Sequence, residues 1–226
     1  MLLESQLHST SRSPKVAVIV AHPDDETLWA GGLILEHRDW EWTIVSLCRQ
    51  SDPDRAPRFQ RVIEHYGARG GIRDMDDEPD QTPLVDAEVE REVLAALPLE
   101  QYDILLTHGP RGEYTRHVRH EETSRAVSRL WRNARITAKE LWMFAYEDGG
   151  GAYLPRAVER ADITTTLPAA IWSEKYRVIT EMYGFSPDSW EARTTPKVEA
   201  FRRFKYPSQL ESLQTDLSHV REGRRE

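Results

Sequence analysis

The chain has 226 residues, of which 39% are hydrophobic and 30% are charged. This composition supplies enough apolar side chains for a sizeable core beneath a well-solvated surface, so disorder throughout the chain is excluded. The formal net charge of −8 argues against a nucleic-acid-binding domain. The single cysteine, Cys48, excludes internal disulfides and any multi-cysteine zinc site, so a bound metal would need histidine and carboxylate ligands.

The amino-terminal residues carry no sign of a membrane or secretion segment. The longest apolar run, Val16 to Ala21, is far shorter than the ~20 residues that cross a bilayer. The polar start of the chain lacks the basic and apolar parts of a signal peptide, which predicts a soluble, cytoplasmic protein. We expect a flexible segment at 1–14, a single α/β domain at 15–206 and a polar tail at 207–226. The sequence leaves a homo-oligomer open.

Strand and helix patterns alternate along the expected domain. Apolar, β-branched runs predict buried strands, and 3.6-residue spacing of apolar residues predicts helices. The predicted strands are Lys15 to Ala21, Trp42 to Cys48, Tyr102 to Thr107, Leu141 to Tyr146 and an edge strand at Thr164 to Leu167. The predicted helices are Thr27 to His37, Pro57 to Gly67, Asp86 to Leu97, one through Leu130 and Trp131, and Ala169 to Tyr183. This alternation predicts an α/β fold, with a doubly wound, mainly parallel Rossmann-like sheet and helices on both faces.

A first cluster of polar residues, His22-Pro23-Asp24-Asp25-Glu26, stands where the first strand ends and the first helix begins. Ligands of open α/β sheets bind outside the carboxyl ends of the strands. In this turn His22 and Asp25 are candidate ligands of one cation, and Asp24 between them would remain free to move protons. The alternative is that Asp24 or Asp25 caps the helix and that Glu26 favours its dipole.

A second cluster, His117-Val118-Arg119-His120, opens the helix that follows the Tyr102 to Thr107 strand. Residues three apart share one helix face, so His117 and His120 can act on one site. In the common strand order 3-2-1-4-5, the loops after strands 1 and 4 flank the same crevice. Two histidines and one carboxylate around zinc leave a position open for water, which is the composition of a catalytic site. The alternative is a solvated helix face.

Several further side chains are candidates for contacts with a substrate or with the ligands. Arg55 and Arg58 follow the second strand together with Arg49, and they could contact a polar substrate or be solvated charges. Tyr114 could offer a face for stacking on a sugar, or it could pack in a core or loop. His108 lies in the loop after the fourth strand, and we expect it to support the ligands rather than to bind a metal.

The first cluster, preceded by a buried strand and joined by a later His-x-x-His pair, resembles the PIG-L/LmbE-like family of zinc-dependent N-deacetylases. The resemblance covers about residues 15–185. It implies that His22, Asp25 and His120 hold zinc, one ion per chain, with another divalent metal left open. It also implies that Asp24 is the general base and that His117 assists the transition state.

This resemblance implies a metal-dependent amidohydrolase that removes an N-acetyl group from an N-acetylglucosamine-type sugar on a small glycoconjugate. Water activated by the metal would attack the acetyl carbonyl, and Asp24 would take the proton. Such a protein needs a small-molecule partner and no nucleic acid. The alternative is a sugar-binding or regulatory protein on the same scaffold, in which the catalytic function has decayed.

The middle of the second cluster departs from the family pattern, which usually reads His-Pro-Asp-His. Here Val118 and Arg119 occupy those positions. A guanidinium held close to His117 would lower the pKa of that histidine, because a like charge disfavours the imidazolium form. Alternatively, Arg119 points along the helix to solvent, or it contacts an anionic part of the substrate.

Overall fold

Strand β1, Lys15–Val20, lies at the centre of the fold in the computed structural model, which describes residues 12–210. Its residues from Val16 onward are fully buried. Apolar, β-branched side chains suit this position because they pack equally well against the layers on both faces of the sheet. Residues 1–11 and 211–226, which include most of the expected terminal segments, lie outside the described part of the chain.

Six further strands complete the main sheet: β2 (Glu41–Ser46), β3 (Arg69–Ile72), β4 (Gln101–Thr107), β5 (Thr137–Phe144), β8 (Ile163–Thr166) and β9 (Val198–Phe204). The strand order is β3-β2-β1-β4-β5-β9-β8. The first five strands are parallel, which confirms the predicted order and the doubly wound fold class. Strand β9 runs antiparallel between β5 and β8, so β8 is the edge strand. Two short strands, β6 (Tyr146–Glu147) and β7 (Arg156–Ala157), pair separately.

Helices cover both faces of the sheet, as predicted. One face packs against α1 (Asp25–Glu36), α2 (Arg55–Tyr66) and α5 (Ala169–Arg177). The other face packs against α3 (Asp86–Ala96) and α4 (Val118–Arg132). Alternate residues of β1 enter the two cores, with Val18 on the first side and Ile19 on the second. This period of two is the pattern of a strand that is buried on both faces.

The chain after β7 differs from the prediction in three places. The predicted helix from Ala169 to Tyr183 is α-helical only as far as Arg177, and it continues as a π-helical turn at Val178–Met182. A short helix, α6 (Trp190–Thr194), and strand β9 were not predicted. Strand β9 reads VEAFRRF, and its charged residues hide the apolar run that marks the parallel strands. Within residues 12–210, no helix combines the length and the apolar character that a membrane span requires.

A fully buried ion pair joins α5 to β9 beneath α1. Nζ of Lys175 lies 2.7 Å from Oε1 of Glu199, and the same carboxylate accepts hydrogen bonds from the main-chain amides of Gly32 and Leu33 at 2.7 and 2.8 Å. A Cβ at position 32 would stand 2.3 Å from the side chain of Leu167 and 3.0 Å from the carboxyl carbon of Glu199, so a larger residue would have to displace one of them. The pair therefore fixes α1, whose first turn carries the first polar cluster, against the antiparallel edge.

Replacing Lys175 with Met should lower the free energy of unfolding by about 3–5 kcal/mol, because it leaves the Glu199 carboxylate buried without its counter-charge. The Lys175→Met/Glu199→Gln double variant should recover a large part of the loss, since no charge then stays unpaired. Urea denaturation of both variants measures the difference. A single variant within 1 kcal/mol of the original protein would show that the pair is not needed to hold α1.

Candidate metal centre

The two polar clusters meet at the carboxyl edge of the parallel strands, as the strand order predicts. They line a cavity of about 380 Å³ together with residues that follow β2 and residues of α6. The lining residues are His22, Pro23, Asp24, Asp25, Leu28, Arg49, Asp52, Arg55, Tyr114, His117, Trp190 and Glu191. A second cavity, of about 310 Å³, lies near the starts of β4 and β5, and no histidine lines it. The first cavity is therefore the candidate functional site.

Three potential ligand atoms form a nearly equilateral triangle at the base of this cavity. Nδ1 of His22 lies 3.3 Å from Oδ2 of Asp25 and 3.2 Å from Nε2 of His120, and the third side of the triangle is 3.3 Å. Donor atoms bound to one zinc ion at 2.0–2.2 Å in tetrahedral geometry lie about 3.4 Å apart. The triangle therefore has the size that a zinc ion requires, and its members are the three residues that the resemblance implied.

The charges around this triangle favour a bound cation. Burial alone would lower the pKa of His120, but the carboxylates of Asp25 and Glu113 raise it to about 9. Burial would raise the pKa of Asp25, but His120 and His108 hold it well below its usual value. The negative charge that favours a proton on Nε2 of His120 also favours a divalent cation, which would displace that proton on binding. The donor set of two imidazoles and one carboxylate therefore fits zinc.

Glu113 orients His120, a role that the sequence analysis did not predict. Its Oε2 accepts hydrogen bonds from Nδ1 of His120 and Nδ1 of His108, both at 2.8 Å, and its Oε1 accepts the amide of Gly109. Because Nδ1 of His120 donates to Glu113, Nε2 is free to face the triangle. Nε2 of His108 accepts the Ala21 amide at 2.9 Å. His108 therefore joins the loop after β1 to the loop after β4, and it supports the ligands as expected.

A second carboxylate, Asp77, faces the other side of His22. Its Oδ1 lies 3.2 Å from Nε2 of His22, an atom that is buried and has no aligned hydrogen-bond partner among residues 12–210. Asp77 also pairs with Arg49 and accepts a hydrogen bond from Gln81. Burial would raise the pKa of Asp77, but these contacts with His22, Gln81 and Arg49 lower it. Asp77 therefore stays ionised next to the imidazole ring of His22, whose Nδ1 belongs to the ligand triangle.

Asp24 stands at the start of α1 with a backbone that non-glycine residues rarely adopt. Its φ is 114°, and such a conformation costs about 1–3 kcal/mol. The Glu26 carboxylate stabilises it by accepting the Asp24 amide at 3.1 Å. The Asp24 side chain makes no capping hydrogen bond within the described chain, so the alternative that it caps the helix is wrong. The strained backbone directs its carboxylate toward the cavity instead.

The environment of Asp24 combines burial with charges of both signs. Burial and the neighbouring charge of Asp25 raise the pKa of Asp24 well above its usual value, and Arg55 opposes this rise. Nη1 of Arg55 lies 3.7 Å from Oδ2 of Asp24. The structure therefore places a carboxylate that can exchange a proton on the cavity wall, next to the ligand triangle.

His117 lies beside the ligands but outside the triangle. It is the residue that precedes α4, and its ring centroid is 4.5 Å from those of His22 and His120. Burial and these two histidines lower its pKa to about 3, so its imidazole is neutral near pH 7. Its Nδ1 is buried with no hydrogen-bond partner in the described chain. With His120 fully buried and His117 half-buried, the alternative of a solvated helix face is wrong.

Of the three candidate substrate contacts, Tyr114 and Arg55 line the cavity and Arg58 does not. Tyr114 lines the cavity and packs edge-on against Trp190, with ring centroids 4.6 Å apart. The Arg55 guanidinium also lines the cavity and stacks over the Phe185 ring. Arg58 does not line it, because its guanidinium binds the carboxylate of Asp54 and the carbonyl of Tyr183.

None of the three predicted positions of Arg119 is correct. The side chain is fully buried, so it neither points to solvent nor reaches a substrate in the cavity. Its guanidinium binds the side chain of Glu122 and the main-chain carbonyls of Asp76 and Thr82. The pKa of His117 is lowered mainly by burial and by the charges of His120 and His22. Arg119 is not among the main causes of this shift. These three hydrogen bonds direct the guanidinium toward Glu122 and the loop that contains Asp76 and Thr82.

Replacing Glu113 with Gln should weaken zinc binding by ~10–100-fold, because the carboxylate that orients His120 and raises its basicity is lost. Chelator competition measures the zinc dissociation constant. The matched control is Glu121→Gln, in the first turn of α4 next to His120. Its carboxylate lies near Arg116, and its replacement should leave the constant unchanged. Equal constants for Glu113→Gln and the original protein would contradict the orienting role.

Comparison with known proteins supports the fold. The sequence matches no model of a known protein family, and it matches no curated protein. Among solved structures, N,N'-diacetylchitobiose deacetylase from Pyrococcus horikoshii is 17% identical with a TM-score of 0.62, covering 85% of this chain and 84% of that chain. GalB, the 4-carboxy-2-hydroxymuconate hydratase from Pseudomonas putida, is 14% identical with a TM-score of 0.56, covering 84% and 95%.

A zinc-inhibited form of the teicoplanin deacetylase Orf2 is similar as well. It is 14% identical with a TM-score of 0.54, and the match covers 75% of this chain and 84% of that chain. The fold implied by the PIG-L/LmbE-like resemblance is therefore confirmed. This chain has the fold that the two deacetylases and the GalB hydratase share.

Proposed function

We propose that the chain is a metal-dependent N-deacetylase that removes the acetyl group from an N-acetylglucosamine-type sugar on a small glycoconjugate. The observation that carries the proposal is the triangle of His22, Asp25 and His120, which opens onto a cavity with the Asp24 carboxylate on its wall. The names of two solved structures with this fold, both deacetylases, add support. Zinc is the proposed ion, one per chain.

The residues of this chain divide the work of amide hydrolysis among them. When bound by His22, Asp25 and His120, the metal supplies a Lewis acid that polarises the acetyl carbonyl and makes water a better nucleophile. Asp24 accepts the proton of the water as its oxygen bonds to the carbonyl carbon. The N–H of the neutral His117 ring donates to the developing oxyanion. When the carbon–nitrogen bond breaks, Asp24 returns the proton to the amine, so acetate and a free amino sugar are released.

The remaining cavity walls suit a sugar of modest size. A volume of about 380 Å³ is near the lower end of the range for small-molecule sites. Tyr114 and Trp190 offer aromatic surface against which the apolar face of a sugar ring can pack. The Arg55 side chain lines the cavity and is only partly buried, so its guanidinium can donate to a sugar hydroxyl next to the acetamido group.

A second candidate function is the hydration of an anionic small molecule. The guanidinium groups of Arg49 and Arg55 both line the cavity and could pair with carboxylates. The GalB structure, named for a carboxylated substrate, has the same fold. The third function is the binding-protein alternative. A binding protein needs no carboxylate held by a strained backbone beside the ligand triangle, so Asp24 favours an enzyme.

One screen distinguishes the three functions. The zinc-loaded protein is incubated with N-acetylated sugars, glycolipids and glycopeptides and, separately, with unsaturated carboxylic acids, and the products are read by mass spectrometry. A deacetylase yields products lighter by one acetyl group, and a hydratase yields products heavier by one water. A chain that binds sugars and converts none of them would support the binding-protein alternative and contradict the proposal.

Replacing Asp24 with Asn should leave zinc binding intact and reduce kcat by ~10²–10⁴-fold, which is the usual contribution of a general base. Asp25→Asn should instead weaken zinc binding, because it removes the anionic ligand of the triangle. Zinc content and turnover are measured together for both variants. If both lose zinc to the same degree, the division of roles between the two carboxylates is wrong.

Replacing Arg55 with Met should raise KM by ~10-fold or more with a smaller change in kcat, because the lost hydrogen bond serves binding of the sugar. The control is Arg61→Met, an exposed position on the same helix, which should leave both constants unchanged. A fall in kcat at constant KM would show that Arg55 acts on the transition state, through Asp24, instead of on binding.

A further inference from the structure

Arg119 and Glu122 form a buried ion pair one turn apart on α4, beside the metal ligand His120. Nη1 of Arg119 lies 2.7 Å from Oε2 of Glu122, and both side chains are almost completely buried. A pair of charges is seldom buried unless its remaining hydrogen-bonding atoms are also satisfied. Here those atoms all bind one segment, residues 76–84.

The pair holds this segment at three main-chain atoms. Arg119 donates to the carbonyl of Asp76 through Nε and to the carbonyl of Thr82, 3.1 Å away, through Nη2. Oε1 of Glu122 accepts the amide of Leu84 at 2.8 Å. Within the described chain, the other hydrogen bonds of main-chain atoms in 76–84 are to partners inside the segment itself. The pair therefore supplies the segment's long-range main-chain hydrogen bonds.

The segment carries Asp77, which faces the metal site. Asp76, whose carbonyl Arg119 holds, is the neighbour of Asp77 in sequence, and Oδ1 of Asp77 lies 3.2 Å from Nε2 of His22. A metal-bound histidine commonly directs its other ring nitrogen at a carboxylate, which fixes the ring and raises its basicity. The distance between these two atoms depends on where the main chain of residues 76–84 is held.

We propose that the buried Arg119–Glu122 pair positions Asp77 and, through it, the metal-binding ring of His22. This inference rests on the metal site of the proposed function. Arg119 and Glu122 are positioning residues: they touch neither the ligand triangle nor the cavity, and they act through the 76–84 segment. In this chain an acidic support of His22 thus comes from the separate 76–84 segment, and the arginine within the second cluster fixes that segment.

A thermodynamic cycle of zinc dissociation constants tests this. Asp77→Asn should weaken zinc binding by ~10–100-fold. The variant Arg119→Met/Glu122→Leu removes both charges, so that neither stays buried alone, and it should weaken binding by a similar or smaller factor. If the pair acts through Asp77, adding Asp77→Asn to this variant should weaken binding no further than Asp77→Asn does by itself. Effects that multiply would overturn the proposal.

Hydrogen exchange of the metal-free protein gives a second readout. The amides of 76–84 should exchange at least tenfold faster in the Arg119→Met/Glu122→Leu variant, while those of α4 keep their rates. Unchanged exchange in 76–84 would overturn the proposal. Should that variant fail to fold, Arg119→Lys takes its place, because it keeps a charge for Glu122 but loses the fork that reaches Asp76 and Thr82. The same non-additivity with Asp77→Asn and the same faster exchange are then required.

The matched control is the Arg203–Glu140 pair, which joins β9 to β5 at 2.7 Å and contacts none of the site residues. Arg203→Met/Glu140→Leu should leave zinc binding unchanged, which separates positioning from general loss of stability. Failure of the proposed function is a distinct result. Zinc binding that follows the predicted cycle in a protein without deacetylase activity would retain the positioning role and reject the activity.

Discussion

Three electron-donating atoms lie within 3.3 Å of one another at the carboxyl edge of the sheet, and the surrounding structure keeps them there. Unpaired, Nδ1 of His22, Oδ2 of Asp25 and Nε2 of His120 would repel one another, so a proton or a cation must lie between them. Burial removes the water that would otherwise screen this repulsion. The requirement for positive charge at one point is the constraint on which the rest of the site depends.

Contacts from three directions hold the ligand atoms of the triangle in place. Glu113 holds His120 from the loop after β4, and Trp29 of α1 donates its indole N–H to Oδ1 of Asp25 at 3.1 Å. Asp77 faces His22 from the 76–84 segment. Each of these side chains comes from a different part of the fold, so the sheet and both helical layers must be in place before the ligands converge. Stability and function are linked here through the positions of α1 and α4.

The sequence predicts the elements whose signals are local. The apolar run of β1 and the periodic helices α2 and α3 are recognisable because burial on one or two faces leaves a regular pattern. The His22 to Glu26 cluster could be placed at the sheet edge because the strand order follows from the alternation of elements. Strand β9 was missed, since three of its seven residues are charged. One of these, Glu199, is buried because Lys175 and two main-chain amides of α1 satisfy its carboxylate.

The supporting residues of the site leave no such pattern. Glu113 and Asp77 act through loops whose conformations depend on contacts far away in sequence. Arg119 adjoins His120 in sequence, yet its side chain turns to the 76–84 segment, because residues next to each other on a helix face different directions. Spacing alone could suggest a substrate contact or a pKa effect for it, and it could not reveal a partner forty residues away.

Anomalous scattering at the zinc absorption edge, from crystals of zinc-loaded protein, tests the central claim most directly. The account predicts one strong peak per chain, about 2.0–2.2 Å from Nδ1 of His22, Oδ2 of Asp25 and Nε2 of His120, with a fourth position facing the Asp24 side of the cavity. A peak bound by other residues would contradict the account. So would the absence of a peak between these three atoms at saturating concentrations of zinc.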